Sequence, residues 1–301
     1  DPANTSGAAA PYTTEEMAAT NIQDAVDVAG NGATVKIARG TYELAYPVVV
    51  KKPIAVEGVV GDIAAVTLTP QDIKVNGSLF VLNATGASVS YLTLKGARAN
   101  RSFAPLGGVG ASLNNTEANV IRFCRFTDFS DGDGWALPAG VRNDGGQVLD
   151  CTFDSQYDQG DACNPAVYWQ SGAAALIDRC TIIGIRATSM CCQGANSRST
   201  FVYIEGGTAR NVLVGKCAVS TGKYTKENVP GQSYSNLAVP ATFIYAKSGL
   251  IENCSVVDCT LASKSTDRLA AIKHDSAGVV RNCFAGGNVC TVQPDGGEST
   301  V

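Results

Sequence analysis

A chain of 301 residues, 45% hydrophobic and 17% charged, can bury a large core, and stacked-repeat folds escape the size at which ordinary cores divide. A net charge of −4 and a pI near 5.1 exclude polyanion binding as its governing theme, so nucleic acid is not an expected partner. No run of about 18 apolar residues is present, which leaves no candidate transmembrane helix.

Thirty-two glycines and few aromatics favour short strands joined by turns over a helix bundle. Residues 1–12 read as an arm at the start of a mature, secreted chain. Thr13-Thr14-Glu15-Glu16 has capping-box spacing, and Met17, Ile22, Ala25, Val26 and Val28 recur at helical intervals. A capping helix is therefore expected within 13–30, plugging one end of a stacked core, with 31–301 as one further domain.

Beyond residue 50 the chain repeats a short apolar pattern around one position. Cys124, Cys151, Cys180, Cys217, Cys254 and Cys283 occupy it, with Leu92 and Ile54 in earlier copies, at intervals of 27 to 38 residues. Fixed strands separated by loops of changing length fit an all-β parallel β-helix of about nine coils. The cysteines should then form one interior ladder of unpaired thiols, since stacked Cβ atoms exceed the usual disulfide separation of about 3.8 Å.

A second strand precedes most copies, with Val141, Val167, Val202, Ile244 and Ile272 expected inward. Arg142, Tyr168, Tyr203, Tyr245 and Lys273 then form one outward column, and Asp144, Gln170, Glu205, Lys247 and Asp275 the next. Small residues such as Gly146, Gly249 and Gly278 mark the corner between the strands.

Asn21-Ile22-Gln23-Asp24-Ala25-Val26-Asp27, followed by Gly40-Thr41-Tyr42, resembles the opening motif of the pectin-lyase-like superfamily of right-handed parallel β-helices. The unit from Gly140 to Phe153 is similar to repeats of autotransporter-like and polymorphic outer-membrane surface proteins. The resemblance implies the fold and covers enzymes and non-enzymes alike. The catalytic signatures of pectin hydrolases and of the main pectate-lyase types do not occur. The single histidine, His274, is expected inward beside Trp169 and Ile204 as a buried imidazole.

Three arrangements remain as candidate chemistry. Asp144 and Glu205 would lie two coils apart, roughly 9.6 Å along the axis, near the upper end for an inverting glycosidase pair. Lys247 beside Glu205 would serve as a lyase base only with a depressed pKa. The alternative is a solvated face with ion pairs between coils. The tyrosine column is either structural stacking or a platform for a glycan or a partner chain. Asp131, Asp133, Asp154, Asp158 and Asp161 sit in loops of neighbouring coils and could hold Ca²⁺ through oxygen ligands; no other cofactor is implied. Two disulfides are expected, Cys163 with Cys192 (or its neighbour Cys191) and Cys259 with Cys290.

These features favour a secreted or cell-surface structural protein that assembles into a fibre or surface layer, or adheres. Its partners would be copies of itself, met through the helix ends and the N-terminal arm. A carbohydrate-active enzyme or glycan-binding protein is the alternative.

Overall fold

The structure is a computed structural model that describes residues 12–14, 16–71, 78–96, 113–115, 118–129, 140–154, 158–159, 167–189, 199–221, 241–263 and 269–292. It is all-β apart from one short helix, and every strand pairing it contains is parallel. Nine strands stack in one sheet, from Gly40–Leu44 to Phe284–Gly286, and five in another, from Asp158–Gln159 to Val289–Val292. The largest sheet carries two stacks side by side. They fuse where Ala241–Glu252 and Leu269–Arg281 run through the corner as single long strands. The chain is a parallel β-helix.

In-register pairing sets like above like. Leu68, Leu94, Phe126, Phe153, Ile182, Val214 and Val256 form one interior column, all fully buried. Each such side chain contributes about 1.5–3 kcal/mol through burial. Phe126 and Phe153 stack with centroids 4.8 Å apart, close to the spacing of the strands that carry them.

The cysteines do not form one column. Thr181 pairs with Leu213, so Val212, not Cys217, stands over Cys180; Cys254 and Cys283 then resume the column. Cys217 lies at the next corner, in register with Cys259. Ile54 likewise belongs elsewhere, because Ala55 pairs with Ser88 and sets Ile54 over Ala87 in the glycine-corner column.

What the cysteines share is the corner itself. Phe123, Asp150, Arg179, Lys216, Asn253, Asp258 and Asn282 all have φ of +52° to +54°, and a cysteine follows each of them. In every case the thiol donates to the carbonyl two residues back, at 3.1 to 3.4 Å. The left-handed residue turns the chain, and the small, mostly buried thiol supplies a donor to the carbonyl just before the turn.

The helix is shorter than expected. It runs Ile22–Val28, capped by Asn21, whose side chain accepts from the Gln23 amide at 2.8 Å. Thr14 accepts from the Met17 amide at 3.3 Å, but no helix follows. Ile22 and Val26 are buried. Gln23 accepts from the Val49 amide at 2.7 Å and donates to the Val49 carbonyl at 3.1 Å, so its side chain imitates the neighbouring strand that Val48–Val50 lacks on that edge. Tyr42, from the Gly40-Thr41-Tyr42 motif, is buried and donates to the Ala38 carbonyl at 3.0 Å; burial pushes its phenol up to about 12.

The glycine corners divide into two kinds. Gly249 has φ +92°, as expected of a turn glycine, whereas Gly146 is required by proximity: a Cβ there would lie 2.2 Å from the Asn119 carbonyl oxygen.

Candidate functional site

The outer face of the second-strand stack holds most of the candidate residues. Its register is Arg142, Trp169, Tyr203, Tyr245, Lys273. Trp169 thus takes the place assigned to Tyr168, and Tyr168 points inward in the column Val141, Tyr168, Val202, Ile244, Ile272. Val167, expected there, comes one residue earlier and is buried as well. A one-residue slip in this coil exchanges its faces. In the second outward column Ser171 replaces Gln170: the Ser171 amide donates to the Asn143 carbonyl, and the Glu205 amide to the Gln170 carbonyl.

Tyr168 and Gln170 instead join a buried polar chain. Asn119 donates to Asn115, Asn115 to Asn143, Asn143 to the Tyr168 hydroxyl at 3.0 Å, and that hydroxyl to Gln170 at 2.7 Å. Gln170 ends the chain on the Gly206 carbonyl at 2.7 Å. Burial pushes the Tyr168 phenol well up, against the opposing pull of the Asn143 hydrogen bond. Every interior amide here has a partner, so the network clamps register between coils.

On the exterior, each carboxylate is already engaged by its own chain. Asp144 meets Arg142 Nε at 3.1 Å and accepts from the Ser171 hydroxyl at 3.2 Å. Glu205 accepts from Lys247 and from the Tyr203 hydroxyl, both at 3.2 Å. Asp275 accepts from the Tyr245 hydroxyl. The Arg142 guanidinium sits 4.8 Å from the Trp169 ring centroid, and Tyr203 stacks on Tyr245 at 5.4 Å. Tyr245 is only 1% exposed, so it offers no platform, while Trp169 and Tyr203 are half-buried. A general acid needs a carboxyl held neutral by burial or like charge. Asp144 and Glu205 face cations instead.

His274 occupies the inward column over Ala246, away from Trp169, yet it is exposed, on the last described coil. Its Nδ1 lies 2.8 Å from the Asp275 carbonyl oxygen. Cys259 and Cys290 are both free thiols. Leu261, not Cys259, pairs with Cys290, and Cys259 is instead buried beneath Asn288, whose side chain accepts from its amide. Asp154 is held by Arg125 through contacts at 2.6 and 3.1 Å, which commits it to an ion pair. Asp131, Asp133, Asp161, Cys163, Cys191 and Cys192 lie outside the described residues, as does the side chain of Asp158.

The corner before the nine-stranded sheet adds groups that the sequence reading did not single out. Its left-handed positions are, coil by coil, Tyr91, Phe123, Asp150, Arg179, Asn211, Asn253 and Asn282. Asparagine suits that conformation; a bulky residue costs about 1–2 kcal/mol there. Tyr91 and Phe123 stack at 5.0 Å with ring planes 17° apart, which returns about 0.5–1.5 kcal/mol for the pair. In the following coils Arg179 grips Asp150 through two bonds of 2.7 and 2.8 Å. Buried Asp178 is bonded by Arg179, Arg210 and Asn211. Burial opposes its charge, but these partners outweigh burial and hold its carboxyl below the usual range.

No family model and no curated protein matches the chain. Among solved structures it is similar to a PL6 alginate lyase complex with trisaccharide, at 9% identity and a TM-score of 0.31, over 90% of this chain and 82% of that one. A likeness of that degree says nothing about activity. The fold rests on the strand pairing itself. Among the described residues no helix is long and apolar enough to cross a membrane.

Proposed function

We propose that this chain is a secreted or cell-surface structural β-helix, self-associating or adhesive, and that it carries out no catalysis. The observation that carries this reading is the outer face: Asp144, Glu205 and Asp275 are each bound by a cation or hydroxyl of the same chain. A row of satisfied groups stiffens a coil stack, and the partners of these three carboxylates come from the chain itself. Self-association draws support from the exposed apolar residues Val279, Phe284 and Val289, 55–60% exposed on the last described coil. Sedimentation and electron microscopy of the purified protein test it. The expected result is concentration-dependent association, weakened by Phe284→Lys together with Val289→Lys; a strict monomer at high concentration overturns it.

The second reading, a carbohydrate-active or glycan-binding protein, gains from half-buried Trp169 and Tyr203 on the outer face. Release of reducing ends or unsaturated products from an acidic polysaccharide, abolished by Glu205→Gln, would favour it over the first.

A further inference from the structure

We infer that the outer face of the nine-stranded sheet, over its last four strands, is a surface on which a second copy of this chain docks side by side. The inference rests on the self-associating half of the proposed function and assigns it a face. Thr181–Ile183, Leu213–Gly215, Ser255–Val257 and Phe284–Gly286 stack in register, and none of their outward residues is charged. Earlier strands of the same face carry Glu43, Lys95, Arg125 and Asp154 there. Ile183, Leu213 and Phe284 are 38%, 38% and 60% exposed. Phe284 lies flat with its ring over Gly286, where a Cβ would meet it at 2.5 Å, so the face stays level. Only two residues separate each of these strands from the strands before and after it, so these coils have no loop that folds over the face.

The occupant follows from the arrangement of size and charge. A two-fold axis parallel to the strands, passing between Leu213–Gly215 and Ser255–Val257, brings the face onto itself in reverse coil order. Leu213 then meets Ser255 of the second copy, Val257 meets Gly215, and Ile183 meets the Phe284 ring, so large residues face small ones or a flat ring. The same axis sets Lys216 opposite Asp258 of the second copy, and Asp258 opposite Lys216. Both residues are exposed at left-handed corners, φ +53°, on neighbouring coils, and neither has an ion pair among the described residues. Within the chain the Asp258 carboxylate leans over Gly287, on the side away from Lys216. Opposite charges brought together twice by one symmetry operation select a second copy over an uncharged surface. Four coils at strand spacing, each one strand wide with its two corners, give a patch of roughly 400 Å² a copy. That is about half of a standard interface, so the dimer is weak and reversible.

Sedimentation velocity of the full chain over a concentration series is the test. The expected result is a monomer–dimer equilibrium that Leu213→Lys weakens by about tenfold or more. Lys216→Asp alone and Asp258→Lys alone should each weaken it about tenfold at low salt, since each sets like charges together twice. The two together should restore it. Lysine and aspartate already stand at left-handed corners of this chain, at Lys216 and Asp150, so both reversals should melt at the wild-type temperature. Loss of association in them is then not loss of fold. Unchanged association in Leu213→Lys, or a double reversal no stronger than either single one, overturns the inference. If association survives Leu213→Lys but is lost in Val289→Lys, self-association stands through another face and this surface alone fails. A strict monomer at high concentration overturns both.

Discussion

The two ends of the β-helix are built differently. At the N-terminal end Ile22 and Val26 fill the core, Gln23 imitates a strand along Val48–Val50, and Lys52 donates to the Asp27 and Ala29 carbonyls at the end of the helix. At the other end, the last described coil sets Ile272, Val280 and Cys283 half-buried and leaves His274, Ala285 and Cys290 exposed, although all six continue interior columns. Burial in a stacked fold thus requires a covered coil as well as an inward direction.

Val26→Asp should show the largest effect, a loss of about 3–5 kcal/mol in urea unfolding, because it places a charge in the plugged end. Ala285→Asp, at an exposed position of the last described coil, should stay within about 0.5 kcal/mol. Equal losses would break the comparison. Gln23→Leu should cost about 1–3 kcal/mol, since it strips a partner from the Val49 amide without emptying the core.

Between the ends, Asp178 gives a pH signature. Its folded pKa lies below its unfolded one, so its contribution is complete above the unfolded value of about 3.9 and is lost as pH falls through the folded value. Wild-type stability should fall over that acid range, and Asp178→Asn, less stable at pH 7, should fall less steeply there. The smallest perturbation is alkylation of the native protein followed by mass mapping. Exposed Cys290 and then half-buried Cys283 should react before buried Cys124, Cys151, Cys180, Cys217, Cys254 and Cys259. Early reaction at Cys151 would deny the buried middle its difference from the last described coil.

Much of this fold was legible in the sequence because parallel stacking repeats its strands. The errors have physical causes. Val167-Tyr168-Trp169 is three apolar residues in a row, so alternation could not say which one faces inward; the buried Asn143–Tyr168–Gln170 chain decides it. Cys217 was assigned to the wrong column because two different corners share the same left-handed residue followed by cysteine. The cysteine marks a corner, not a particular one. His274 was correctly directed inward, but alternation alone did not say that it is exposed there. Of the candidate site, the outward residues Arg142, Tyr203, Tyr245 and Lys273 were readable from alternation. Tyr91 and Phe123 were not, since left-handed aromatics break the residue preferences that reveal a turn.

The thiol corners carry a consequence for how such a chain changes length. Each donates to a carbonyl two residues back in its own coil, and the thiols of Cys180, Cys217, Cys254, Cys259 and Cys283 also reach a carbonyl of the coil before, at 3.6 to 3.8 Å. A duplicated or deleted coil would bring or remove its in-coil bond whole, and because Val148, Ala209 and Ile251 share one column, a new neighbour would present an equivalent carbonyl to the thiol. Copy number, rather than any single residue, is then the variable that such a molecule can alter most freely.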